Sequence, residues 1–286
     1  MAKLFITNNT KFVIENAPPK VSWPRPYLGM SGIAGDCLRK LWLGFHWAAM
    51  SEVSTRAYRI FERGDIEEAR IIRDLKAVGI EIFRREGDKK IEMTGEIGEK
   101  QEELVSCFGH AKGHPDGRML GVIESPKTEH LLEMKTMAEK YFKAFVESGV
   151  KISHPVYYGQ MTRYMGKMNL TRAMLIATNK NNEERHYERI KYDKDYDEIL
   201  QAREELIVMS EEPVGEKYSK NHFKCTYCNN KKVCHEGAAP LVTCRSCEFV
   251  DLGENGTWIC CCPYKKEKVL TIDEQKAACK FYKRLF

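Results

Sequence analysis

The segment HLLEMKTM, residues 130–137, alternates in the way a β-strand does, with successive side chains on opposite faces. Leu132, Met134 and Thr136 share one face, and Leu131, Glu133, Lys135 and Met137 share the other. A half-buried strand of this kind sets a carboxylate and an ammonium two residues apart between apolar neighbours. Taking a charge out of water costs several kcal/mol unless it is paired or holds a metal. The pattern therefore asks both for a sheet and for partners to its charges.

The neighbouring sequence supplies the sheet. EIFRRE, KIEMTGEI, EELVSCFG, GHPDGRMLGVI and HLLEMKTM read as consecutive antiparallel strands separated by Gly, Asp and Pro turns. A helix is expected from about Ser31 through CLRKLWLGFHW, and a second over residues 51–79, ending at Gly79. After HLLEMKTM come the helix AEKYFKAFVESG, the segment PVYYGQMTRYMGKM, the strands RAMLIATN and RHYERIKYD, and the helix YDEILQAREELIVMS. Residues 1–30, with four prolines, read as an irregular or extended arm, and EEPVGEKYSKNH reads as a linker. The order predicts an α/β fold with a central mixed β-sheet flanked by helices, followed by a C-terminal cysteine-rich metal-binding region.

Composition excludes little. With 286 residues, 43% hydrophobic and 30% charged, the chain can bury a sizeable core, and its net charge of +5 favours a polyanionic partner only mildly. No apolar run is long enough for a signal peptide or a membrane span, so a cytoplasmic protein is expected. Eleven cysteines in a reducing compartment, most of them in CxxC-type spacings near the end, point to metal rather than disulfides.

Asp116 lies seventeen residues before Glu133, and strands joined by the turn ESPKTE would bring the two side by side. Paired carboxylates repel and suit a hard divalent cation such as Mg²⁺, and a nearby ammonium can orient a water and stabilise charge on a phosphate. The plainer alternative is a solvated Glu133–Lys135 pair with Asp116 as a turn residue.

HPDG followed by LLEMK resembles the PD-(D/E)XK nuclease superfamily, in which Asp, Glu and Lys at this spacing form the catalytic core. RGDIEEARIIRDL resembles the first motif of its RecB-like exonuclease branch, with Gly64 and Glu68 in the motif positions. Phe61, Glu68, Ile72 and Leu75 fall near one helical face, which would turn Glu68 toward the core; Glu67 is slightly worse placed. YYGQMTRYM is similar to the branch's QxxxY motif, through Gln160 and Tyr164. The resemblance covers roughly residues 56–170. It implies a Mg²⁺- or Mn²⁺-dependent DNA exonuclease in which Asp116, Glu133 and the Met134 carbonyl ligate the metal and Glu68 holds metal or its water. Lys135 would activate the nucleophilic water, with Gln160 and Tyr164 positioning substrate. DNA is the partner it implies, with a single-strand annealing or recombination protein as a further one. Rival readings are an end-trimming nuclease of the CRISPR-adaptation kind and a non-catalytic, metal-stabilised DNA-binding module.

CTYCNNKKVC places Cys225, Cys228 and Cys234 at C-x2-C-x5-C spacing, leaving one tetrahedral position open, for which Cys37 is a candidate. This arrangement resembles the iron–sulfur nucleases of the same superfamily, AddB-type subunits and CRISPR-adaptation exonucleases, and implies a [4Fe–4S] cluster that staples the two ends of the chain. A zinc on the three cysteines plus His222 or His235 is the alternative. Further on, Cys244, Cys247, Cys260 and Cys279 would make a four-thiolate zinc knuckle, and the tail is similar to that of phage-type nucleases, with Trp258-Ile259-Cys260 and Gln275 to Cys279 as the matching positions. Cys261 and Cys262 compete with Cys260 for the third place. Cys107 reads as a strand-core cysteine, and the basic run from Lys276 to Arg284 as a solvated helix, with DNA contact as its alternative. The expected divisions are an arm and helix over 1–50, a nuclease core over 51–212, an iron–sulfur segment over 213–240 and a zinc knuckle-like module over 241–286.

Overall fold

A computed structural model describes residues 9–286 apart from 16, 19, 216 and 217, so readings that fall on residues 1–8 and on part of the linker lie outside it. Its centre is a six-stranded mixed sheet. The strands are β1 (Glu81–Glu86), β2 (Lys89–Glu92), β3 (Gly117–Leu120), β4 (His130–Met137), β5 (Arg172–Asn179) and β6 (Arg185–Lys191), in the spatial order β6-β5-β4-β3-β1-β2. Only β4 and β5 run parallel. A parallel pair needs a crossover, and here two helices make it: α3 (Glu139–Ser153) and α4 (Pro155–Met168). The remaining long helices are α1 (Leu38–Phe45), α2 (Thr55–Ala77) and α5 (Lys194–Met209).

Local signals explain where the helices begin and end. Ser54 caps α2, its Oγ accepting from Ala57 N at 3.2 Å, and Asp193 caps α5 by accepting from Tyr196 N at 3.2 Å. Pro155 opens α4, where its missing N–H costs nothing, and Asn169 closes that helix in the left-handed conformation.

Alternation along the central strands feeds two cores. Leu131, Ala173, Leu175 and Ala177 join one cluster with Phe142, Phe145, Met161 and Leu200 of α3, α4 and α5. Leu132, Met134, Met174 and Ile176 join the other with Ile71, Ile72 and Leu75 of α2. Each Leu, Ile, Met or Phe among them contributes about 1.5–3 kcal/mol on burial, and each Ala less. β4 is therefore covered on both faces rather than half-buried, because α2 closes the face that carries Leu132 and Met134.

Several boundaries differ from the sequence expectation. The first helix starts at Leu38, not near Ser31; a 3₁₀ turn over Met30–Gly32 and a turn through Gly35 precede it. Residues 51–53 pair as a strand with Lys20–Ser22, and Thr10–Glu15 is helical within the expected arm. Leu104–Ser106 and Ala111–Gly113 leave the main sheet to form a small one with Leu28–Gly29. Phe61 does not face the core; α2 runs past the sheet edge and leaves it exposed. At the end of the chain only Ile272–Lys276 is helical, and the chain then returns so that Arg284 bridges Cys247.

The cysteine-rich end is packed onto the core by Arg245. Its buried guanidinium lies 4.2 Å from the Trp47 ring and 4.4 Å from the Trp258 ring, and it donates to Pro26 O, Phe45 O and Gln275 Oε1. No carboxylate pairs with it among the described residues, and burial lowers its pKa to about 9. Among the described residues no helix is long and apolar enough to cross a membrane.

Candidate active site

The pairing of Gly117 with Leu132 sets Asp116, the residue before β3, beside Glu133 at the middle of β4. Asp116 Oδ2 accepts from Met134 N at 2.7 Å, and its Oδ1 accepts from Gln101 Nε2 at 3.3 Å. The Lys135 ammonium is hydrogen-bonded to Glu133 Oε1, lies 3.1 Å from Met134 O and stands 3.9 Å from Asp116 Oδ2. Gln160 Nε2 donates to Glu133 Oε1 at 2.7 Å from α4. Glu133 is fully buried, and its Oε2 has no hydrogen-bond partner.

The electrostatics follow from this crowding. Burial, then the Asp116 carboxylate, push Glu133 up to about 7; burial, then Asp116, push Glu68 up to about 8. Asp116 is likewise raised by burial, against the pull of Lys135. Burial works against the charge of Lys135, yet Glu133 and Asp116 outweigh it and hold the ammonium protonated well above the usual lysine range. Three carboxylates thus share one ammonium.

The two adjacent glutamates of α2 have parted company. Glu67 Oε1 accepts from Thr178 Oγ1 at 2.9 Å and from Arg185 Nη2 at 2.7 Å, while its Oε2 accepts from Arg70. Glu68 feels Asp116, Lys135 and Glu133, and lines the same hollow of about 220 Å³ as Asp116 and Gln101. Gln160 reaches the acidic group. Tyr164 does not open toward a substrate: it is buried, its phenol oxygen accepts from His114 N at 3.3 Å, and so it props the turn that carries Asp116. That fit depends on Gly113, where a Cβ would lie 2.5 Å from the Tyr164 ring.

Three residues at the site escape the sequence motifs. Gln101 comes from a loop and has no spacing signal. Tyr157, whose ring lies 5.5 Å from the Lys135 ammonium, was findable, because Tyr157, Gln160 and Tyr164 share one face of α4. Asp65, one turn before Glu68, lines the hollow's rim.

Among the described residues, no three His, Cys, Asp or Glu side chains are drawn together tightly enough to hold a metal as they stand. At the acidic site the Lys135 ammonium already engages the oxygen that Glu133 shares with Gln160. The donor set nonetheless suits a hard cation: buried carboxylate oxygens in excess of positive charge, with Glu133 Oε2 unpartnered.

The cysteines fall into two neighbourhoods. Cys228 is pushed up by burial and feels Cys37 and Cys225; Cys225 Sγ lies 3.6 Å from His235 Nε2. Asn230 donates to Lys40 O at 3.2 Å and Lys224 pairs with Asp36, which ties this segment to the start of α1. Cys234 is half-buried against the core. Cys244 is pushed up to about 11 by burial and then by Cys260, Cys247 and Cys279. Cys260 and Cys262 both line the hollow beside it, whereas Cys261 is exposed. Cys107 is half-buried beside Glu204, 3.9 Å away, at the first residue of a 3₁₀ turn rather than within a strand. His222 caps the short helix Phe223–Thr226.

No family model matches the chain, and no curated protein is similar to it. Among solved structures the chain is similar to LHK-Exo in complex with dAMP, at 11% identity over 64% of this chain and 86% of that one, with a TM-score of 0.43. It is also similar to the alkaline exonuclease LHK-Exo from Laribacter hongkongensis, at 11% identity over 64% and 87% with a TM-score of 0.39, and to SSO0001, at 12% identity over 74% and 87% with a TM-score of 0.41.

Proposed function

We propose that the chain is a metal-dependent deoxyribonuclease that hydrolyses phosphodiester bonds from DNA ends. The observation that carries this reading is the cluster of Asp116, Glu133 and Glu68 around the Lys135 ammonium, with a buried carboxylate oxygen left unpartnered. Asp116, Glu133, Glu68 and the Met134 carbonyl would hold Mg²⁺ or Mn²⁺, which supplies the charge that draws a phosphate to an acidic site and makes water nucleophilic at neutral pH.

The chain's own groups have separable tasks. Lys135, whose ammonium form is favoured by its two carboxylates, would orient and activate the nucleophilic water and face the charge that builds on the phosphate oxygens. Glu68, raised to about 8 by burial and then by Asp116, would hold the metal or its water as a carboxylate, with its proton released to solvent. Gln160 fixes the Glu133 carboxylate, and Tyr164 fixes the Asp116 turn from below. Glu68 and Asp116 line a hollow of about 220 Å³ and Glu133 is buried beside Asp116, a recessed arrangement that suits a threaded strand end better than the side of a duplex.

The two cysteine groups are proposed as structural sites. Cys37, Cys225, Cys228 and Cys234 would hold the [4Fe–4S] cluster, and Cys244, Cys247, Cys260 and Cys279 a zinc, each suited by thiolate-rich donors near one another. Anaerobic purification with metal analysis should return both iron and zinc; two zincs per chain would remove the cluster.

The nuclease reading is tested with end-labelled linear DNA and Mg²⁺, using closed circular DNA as the control. Asp116→Ala and Lys135→Ala should each abolish release of label while keeping the wild-type circular dichroism spectrum, and circular DNA should persist throughout. Undiminished activity in both variants would overturn the assignment.

A further inference from the structure

One face of α2 carries two aromatic residues beyond the core. Tyr58, Phe61, Asp65, Glu68 and Ile72 follow one another at three- and four-residue steps, so they share one face of the helix. Ile72 is buried under the sheet and Glu68 stands at the acidic hollow, but Phe61 is 57% exposed and Tyr58 41% exposed. Their rings lie 6.4 Å apart at a 56° tilt, and the Lys20 ammonium sits 3.8 Å over the Tyr58 ring. Together with Arg59, Glu62 and Asp65 they line an open hollow of about 470 Å³. Asp65 lines both this hollow and the one that holds Glu68 and Asp116, so the two are neighbours.

Such a pair is normally core, and burying two aromatic rings would repay several kcal/mol. Here the helix instead presents them to solvent beside the proposed site, in a hollow also lined by Glu62, Asp65, Lys20 and Arg59. Glu62 and Asp65 disfavour a phosphate beside them, whereas an uncharged ring face accepts a base; the nearby cations are Lys20, over the Tyr58 ring, and Arg59, which pairs with Glu15 at 2.9 Å. Ten residues of helix separate Tyr58 from Glu68, about 15 Å, or roughly four stacked nucleotides at ~3.4 Å each.

We infer that Tyr58 and Phe61 form a stacking platform for unpaired bases of the DNA strand that leads into the acidic site. This rests on the nuclease reading and sharpens it, because the substrate arriving at the site is then single-stranded over its last few nucleotides. Base stacking on an aromatic ring tolerates any sequence, so the platform grips without reading bases.

The test uses full-length protein carrying Asp116→Asn, so that binding is read without cleavage, and a fluorescein-labelled single-stranded oligodeoxynucleotide followed by anisotropy. Adding Tyr58→Ala or Phe61→Ala should weaken binding about tenfold, and Tyr58→Trp should restore it. An abasic site about four nucleotides from the strand end should weaken binding to the protein with Tyr58 intact and leave the Tyr58→Ala protein unmoved. If both alanine variants bind as tightly as their parent while wild type still degrades end-labelled DNA, the platform is wrong and the nuclease reading stands. If wild type neither binds nor degrades DNA, the nuclease reading fails and the platform falls with it. Should the alanine substitutions instead abolish self-association in sedimentation runs without changing oligonucleotide binding, the patch is a protein interface and the inference is overturned.

Discussion

Two buried charge clusters meet α4 three residues apart, and they are built on opposite terms. At Arg163 the guanidinium donates to Glu204 at 2.9 and 3.0 Å, to Asp197 at 3.0 Å and to Ser106 at 3.0 Å; Tyr192 completes Asp197 at 2.7 Å. No polar side-chain atom of Arg163, Asp197 or Glu204 is left over. At Gln160 the neighbouring group holds three carboxylates against one lysine, with Glu133 Oε2 unpartnered. A satisfied network locks helices together; an unsatisfied one stores a demand for a ligand. On the proposed function the first cluster is scaffold and the second is where chemistry would take place.

The largest expected effect is on activity. Lys135→Ala should cut Mg²⁺-dependent DNA degradation by about a thousandfold and cost less stability than the loss of Arg163, because Glu133 and Glu68, raised to about 7 and about 8, take up protons in place of the ammonium. If it instead unfolds the protein, the acidic cluster is scaffold too and the contrast collapses. Arg163→Ala should show the reverse: a loss of about 3–5 kcal/mol of stability, because it strands two buried carboxylates, read as a lower urea midpoint. Stability unchanged by this substitution would break the comparison from the other side.

A pH series sharpens the scaffold half. Burial lowers the His46 pKa from 6.5 to about 4, its Nδ1 lying 2.9 Å from Arg245 O. The unfolded chain therefore binds a proton that the fold refuses. This contribution is complete above pH 6.5 and is lost as pH falls toward 4, by up to about 3 kcal/mol. Urea midpoints of wild type and His46→Gln at pH 7 and pH 5 should converge at the lower pH; parallel curves would contradict it. The smallest effect separates neighbours. Glu67→Gln should cost about 1–3 kcal/mol of stability and spare activity, while Glu68→Gln should spare stability and impair activity.

Much of this was legible in the sequence, and the failures have physical causes. The strand over residues 130–137 shows itself by a two-residue period, and that over 172–179 by a short apolar run between polar ends. The same period says nothing about what covers the second face, so β4 reads as half-buried until α2 is seen lying on Leu132 and Met134. Residues 102–109 do alternate, but Leu104–Ser106 pairs with Ala111–Gly113, which in turn pairs with Leu28–Gly29, and nothing local marks the change of sheet. Glu67 and Glu68 differ by 100° on the helix, and only Arg185 and Thr178, over a hundred residues away, decide which is scaffold. Tyr164 fits its motif spacing yet serves the Asp116 turn, a role fixed by the contact with Gly113.

The claim that an unsatisfied acidic cluster is a cation site is tested most directly by following the thermal midpoint of wild type and Asp116→Asn while Mn²⁺ is titrated in. Wild type should gain stability with each addition, since a ligand that binds only the fold stabilises it by mass action. Asp116→Asn should start at least as stable, relieved of a buried carboxylate, and stay flat. A wild-type midpoint that ignores Mn²⁺, or an Asp116→Asn protein that responds as wild type does, would contradict it.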